Sequence, residues 1–106
     1  MEYELREILN DIIPYKKFLR QSGSGVKNFF PPLDINCYVE DRIEMVRNEE
    51  GEEVLSKTRL YMAADHVTEK IEAKDCFVLN GKDIPVINRS RYKDEKGNPY
   101  VVVVYL

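Results

Sequence analysis

After a distinct opening segment, the chain is written as short apolar runs separated by explicit turns. Ile35–Arg47 runs into Asn48-Glu49-Glu50-Gly51 and returns as Val54–Ala63. Cys76–Leu79 meets Asn80-Gly81 and is answered by Ile84–Ile87, while Arg91–Lys93 leads through Asp94-Glu95-Lys96-Gly97-Asn98 to Tyr100–Leu106. Each turn carries a glycine where a backbone of positive φ is wanted, and Asn-Gly between apolar runs is the strongest short-range hairpin signal. Such a meander predicts a mostly β domain.

Faces can be read within the runs. Ile35, Cys37, Val39, Ile43 and Met45 share one parity, but Asp41 intrudes on it. A β-bulge near Asp41, or an exit from the sheet there, resolves the conflict. On the return run Val54, Ser56, Thr58, Leu60 and Met62 take one face, and Leu55, Lys57, Arg59 and Tyr61 the other. The closing run Val101–Leu106 is apolar on both faces, which predicts a central strand covered twice, since a strand with one face in water alternates. Pro85 marks its run as an edge or a bulged strand.

The opening segment follows a different period. Leu5, Ile8, Leu9 and Ile12 recur at helical spacing and Pro14 ends the pattern, predicting a short amphipathic helix from Glu2 to Asn10 or Ile12. A helix this short must dock on something. Tyr15–Arg20 is read as a first strand and Gln21–Gly25 as a loop. Phe29-Phe30-Pro31-Pro32 then offers two aromatics before a stiff dipeptide; these either plug the open end of a barrel or anchor a partner. Residues 63–74 hold a helical turn or a loop. The architecture expected is one domain: a small antiparallel β-barrel with a long central hairpin loop projecting at about residues 46–54, and residues 1–14 as an N-terminal helical arm.

Composition narrows the function. At 106 residues, 43% apolar and 33% charged, the chain reads as a soluble globular domain. A net charge of −3 argues against a general nucleic-acid binder. The longest apolar run, Tyr100–Leu106, is too short for a membrane helix, and no secretory leader is expected. Cys37 and Cys76 lie in separate runs and are read as reduced, buried thiols; with one scattered histidine, His66, they make no zinc site.

No phosphate loop, nucleophile elbow or paired His/Glu motif is present, so neither catalysis nor a cofactor is expected. The four tip glutamates, Glu49, Glu50, Glu52 and Glu53, read as a solvated face. Arg89, Arg91 and Lys93 with Tyr92 make a weak candidate for phosphate contact, offset by Asp94 and Glu95.

Taken as a whole, the order of these features resembles the small head–tail joining proteins of long-tailed bacteriophages and prophages, the head-completion or stopper proteins. The residues that carry the resemblance are Phe30-Pro31-Pro32 followed by Ile35-Asn36-Cys37-Tyr38-Val39-Glu40, and the hairpin with Asn48-Glu49-Glu50-Gly51 at its tip. The ending adds Asp75–Lys82, Pro85-Val86-Ile87, Asp94–Gly97 and Val104-Tyr105-Leu106. The pattern spans nearly the whole chain and consists of strand and turn residues.

That resemblance implies a virion structural protein, made in the host cytoplasm, that forms a homo-oligomeric ring of twelve or six copies beneath the portal and its adaptor. The ring seals the DNA channel after packaging and presents the surface that meets the tail terminator, with double-stranded DNA nearby but unread and no membrane involved. The channel-facing gate loop would be Val46, Arg47, Asn48, Glu49, Glu50, Gly51, Glu52, Glu53 and Val54. Subunit or partner contacts would fall on Leu5, Ile8, Ile12, Phe29, Phe30 and Tyr105. The alternatives are another connector component, such as a tail terminator, or a small barrel of the oligonucleotide-binding or SH3-like kind that binds nucleic acid or protein.

Overall fold

A computed structural model describes residues 11–106. The strands are β1 (Asp11–Lys16), β2 (Phe18–Gln21), β3 (Lys27–Phe29), β4 (Leu33–Arg47), β5 (Glu53–Ala63), β6 (Cys76–Leu79), β7 (Lys82–Pro85), β8 (Asn88–Lys93) and β9 (Pro99–Tyr105). One 3₁₀ turn, Thr68–Lys70, interrupts the link between β5 and β6. Seven strands form one sheet in the order β7-β6-β1-β4-β5-β9-β8, and β2 with β3 makes a separate hairpin. The mostly β expectation therefore holds. Among the described residues no helix is long and apolar enough to cross a membrane.

The sheet is curled but not a closed barrel, which corrects the sequence expectation. β7 and β8 are its two edges and do not pair. Only Val86 and Ile87 connect them, and three peptide units reach about 11 Å at most. Six flat strand spacings would separate those edges by about 29 Å, so the sheet must roll up to bring one corner of each together. Val86 N–H donates to the Asp75 carbonyl at 3.0 Å and Ile87 N–H to the Tyr105 carbonyl at 2.8 Å, so consecutive residues stitch the two flanks. Elsewhere the seam is filled by the segment between β5 and β6. Arg89 donates to the Ile71 carbonyl and Arg91 pairs with Glu69 on one side, while Lys17 donates to the Lys70 carbonyl at 2.6 Å on the other.

The concave face holds the core: Tyr15, Ile35, Cys37, Leu60, Met62, Ile71, Phe77, Val86, Val102, Val104 and Leu106. Val103, on the opposite face of β9, is also buried, with Tyr61 and Ser90 as its cross-strand neighbours. The doubly apolar strand thus lies inside the sheet, one position from its edge, and on its outer face only Val103 is fully covered, Val101 and Tyr105 being half-buried. Both cysteines are buried and unjoined. Burial, with Asp11 nearby, pushes the Cys37 thiol up to about 12, and burial likewise raises Cys76.

Two local expectations fail, the first through the pull of β4. Residues 2–10 of the expected helix lie outside the described residues, but Asp11 and Ile12 are strand. Asp11–Tyr15 pairs antiparallel with Leu33–Cys37, and the β-branched pair Ile12-Ile13 suits that pleat better than a helix. Pro14 sits inside β1 because β6 reaches β1 only at Tyr15 and Lys16, so the prolyl position has one partner strand rather than two. The expected first strand Tyr15–Arg20 is broken at Lys17, where the chain leaves the large sheet for the β2–β3 hairpin.

What holds that corner is a buried carboxylate. Asp75 accepts from Tyr15 Oη at 2.5 Å, Phe18 N–H at 2.8 Å, Glu72 N–H at 2.8 Å and Lys17 Nζ at 3.3 Å. Its side chain is fully buried, so each donor replaces a lost water. Burial first, then the bond to Asp75, raises the Tyr15 pKa and keeps its proton in place. Asp75→Asn keeps the shape but turns a donor toward these donors. We expect a loss of about 2–4 kcal/mol in urea unfolding, against about 1 kcal/mol for the exposed turn variant Asp94→Ala. Equal effects would deny Asp75 this role.

Candidate functional site

Three hairpin loops share one construction. In Asn48–Glu52, Asp94–Asn98 and Ser22–Val26 the first residue's amide donates to the fifth's carbonyl, and the fourth residue, a glycine, donates back to the first. In the acidic loop the Asn48 Oδ1 accepts from the amides of Glu50 (3.0 Å) and Glu52 (2.9 Å), and Gly51 takes φ +84°, a value that side chains disfavour. The candidate gate loop is thus a formed turn. Glu49, Glu50, Glu52 and Glu53 stand exposed around it, while Val46 and Val54 are register partners and half-buried.

This turn ends an arm. Toward the tip β5 last pairs with β9 at Arg59, and the Lys57 amide and Ser56 Oγ donate to the Leu106 carbonyl at 2.8 and 3.0 Å; beyond that point β4 and β5 pair as strands only with each other. The register shifts between Asp41 and Glu44, so the bulge foreseen near Asp41 is real. Its consequence is a flip in parity. Ile43 and Met45, expected on the core face, are exposed instead, and Met45 pairs with Leu55 on the outside of the arm.

A polar clamp fixes the root of the arm. Arg59 grips the Glu44 carboxylate with two nitrogens, its Nε on Oε1 and its Nη2 on Oε2 at 2.6 Å. The guanidinium also lies 5.2 Å over the Tyr105 ring and donates to Tyr61 Oη at 3.2 Å. Tyr61 in turn donates to Glu40 and packs beside Tyr38 at 5.8 Å. Nearer the tip, Asn88 Nδ2 donates to the Arg47 carbonyl at 2.8 Å, bringing the arm over its own body. A cleft of about 400 Å³ remains between Glu49, Glu50 and Val54 on the arm and Lys74, Val86 and Ile87 beneath.

At the opposite end of β4 lies a second feature. Phe30, Pro31, Leu33, Tyr15 and Val67 wall a cleft of about 300 Å³, with Lys17, Lys70 and His66 around it. Across Leu33 it adjoins a wider groove that includes Asp34, Asn36, Ala63 and Asp65. The loop carrying His66 is held by Asp65, whose Oδ1 accepts from the Val67 and Thr68 amides, each at 2.8 Å. His66 itself is exposed.

The expected contact residues scatter. Leu5 and Ile8 lie outside the described residues. Ile12 is exposed on β1, Phe30 lines the cleft, and Phe29 packs edge-on against Phe18 at 6.1 Å. Tyr105 is half-buried under Arg59 on the outer sheet face. In the basic row Arg89 is spent on the Ile71 carbonyl, while Arg91, itself exposed, pairs with Glu69, and Lys93 and Tyr92 stand exposed. Among the described residues no cluster of three metal-ligating side chains occurs. The clamp, the Asn88 tether and the cleft carried no local sequence signal, because each joins residues far apart in the chain.

The clamp should respond to acid. The Arg59 hydrogen bond holds the Glu44 carboxyl below its ordinary range. A depressed folded pKa gives an interaction that is intact above the ordinary carboxylate value of about 4.3 and lost as pH falls through the folded value. Amide protection in residues 43–56, taken relative to the intrinsic exchange rate at each pH, should therefore fall in wild type only below about pH 4, and should already be low at neutral pH in Glu44→Gln. Identical exchange in the two proteins at neutral pH would show that the clamp does not order the arm. Comparison of the chain with known protein families and with curated proteins finds no match.

Proposed function

We propose that this chain is a structural assembly protein of the tailed-bacteriophage head–tail interface, a joining or stopper protein that works as a ring of identical copies. The ring sits below the portal and adaptor, closes the DNA channel after packaging, and offers the surface to which the tail, through its terminator, attaches. The observation that carries this reading is the arm. A two-stranded extension beyond the last sheet contact contributes little to its own core, and isolated hairpins are marginal in water. Its use lies in what it meets when copies assemble.

The remaining features support the same reading. Residues 46–54 form the gate segment, a turn ordered by Asn48 and presented at the arm's end. Its exposed carboxylates repel phosphate and so resist sticking to DNA in the channel. Opening and closing need no bond-making, only a change in how arms lie against their neighbours. The weak clasp at Asn88, one exposed hydrogen bond, holds the arm without locking it.

Removal of Glu49–Glu53 tests the proposal. The domain should fold with its stability changed by no more than about 1 kcal/mol, since none of these residues belongs to the core. Particles assembled with the shortened chain should lose DNA or fail to take up tails. Sound, infectious particles carrying it would contradict the gate assignment, and an unfolded domain would make the tip a structural element instead.

A further inference from the structure

Among the exposed apolar side chains of the described residues, two groups lie at opposite ends of one strand. At the far end of β4, Ile43, Met45 and Leu55 are 75%, 58% and 50% exposed, with Met45 and Leu55 side by side. At the near end, Phe30 and Leu33, each 48% exposed, wall the small cleft. β4 is 15 residues long and the molecule's longest axis is 46 Å, so the two patches cannot meet within one copy.

Charge is divided the same way. Beyond the apolar strip the arm ends in Glu49, Glu50, Glu52 and Glu53. Lys17 and Lys70 border the cleft, and Arg20 and Lys27 stand exposed on the neighbouring β2–β3 hairpin. Lys17 also serves the buried Asp75 and pairs with the exposed Glu72 at 3.8 Å, which leaves Lys70 as the exposed cation at the cleft itself. Asp34 and Asp65 belong to the groove on the other side of Leu33.

We infer that these surfaces are partners between copies: the Ile43–Met45–Leu55 strip of one molecule packs into the Phe30–Leu33 cleft of the next, its acidic tip toward that neighbour's lysines. The contact is head-to-tail, so repetition closes a ring if the rotation allows. Arm-to-arm contact would instead crowd two sets of like charges, at a cost that opposed charges avoid. The assignment rests on the ring reading above and names the surfaces that would build it. It needs no release of the arm from Asn88, because the strip lies on the exposed side.

Complementation tests it with the purified chain. One variant carries Met45→Glu and Leu55→Glu, the other Phe30→Glu and Leu33→Glu; all four positions are exposed, and circular dichroism checks that both fold. In sedimentation, wild type should form species larger than a dimer, weakened by added salt. Each variant alone should associate at least about tenfold more weakly. Mixed, the two should form a one-to-one dimer and nothing larger, since together they hold one intact pair of surfaces. Lys70→Glu, a milder change, should also weaken wild-type association. Variants that associate like wild type, a mixture that stays monomeric, or a monomeric wild type would each overturn the pairing. The particle test of the gate is read separately. Leaking particles with unaltered self-association of these variants would leave the ring reading standing and this interface refuted.

Discussion

Val86 and Ile87 carry the chain from one edge of a seven-stranded sheet to the other, and that brevity dictates the shape of the molecule. A flat sheet cannot satisfy it. Curling creates the concave face on which Leu60, Met62, Phe77, Val102 and Val104 meet, and it brings Asp75 and Tyr105 to consecutive amides. Because β7 and β8 do not pair, the segment around Ile71 must fill the seam, and the buried Asp75 carboxylate ties that segment to the corner where β1 becomes β2. A carboxylate out of water is costly alone and useful when fully bonded. Here its four donors come from two separate stretches of chain, residues 15–18 and Glu72.

The body and the arm obey different rules. The body is a curled sheet around an apolar core, with Asp75 satisfied. The arm has no core of its own and depends on the Arg59–Glu44 clamp, the turn at Asn48 and the tether at Asn88. An element that is well formed yet lightly held, with apolar side chains facing water, is suited to contact rather than to chemistry. The proposed role in assembly draws on that contrast. The bulge between Asp41 and Glu44 is the point where β4 passes from one regime to the other, turning Met45 outward where an unbroken strand would have turned it in.

Much of the body was legible in the sequence because its signals are local. Asn48, Asp94 and the Asn80-Gly81 pair state their turns outright, and the parity conflict at Asp41 exposes the bulge. The two faces of β5 follow directly from alternation. The failures were nonlocal. The spacing of Leu5, Ile8 and Ile12 favours a helix, but pairing with β4 overrides it from Asp11 onward. Open curl and closed barrel share the same alternation, so only the strand order separates them. Of the candidate site, the tip was readable from its turn chemistry. The Phe30–Leu33 cleft was not, since Val67 and Lys70 join it from a distant loop.

The central claim, that this chain is a ring at the head–tail joint of a phage particle, is tested most directly by counting. Density-purified, DNA-filled particles would be digested and this chain quantified against the major capsid protein by mass spectrometry. A ring at a single portal vertex predicts on the order of ten copies per particle. Absence of the chain from intact filled particles would contradict the account.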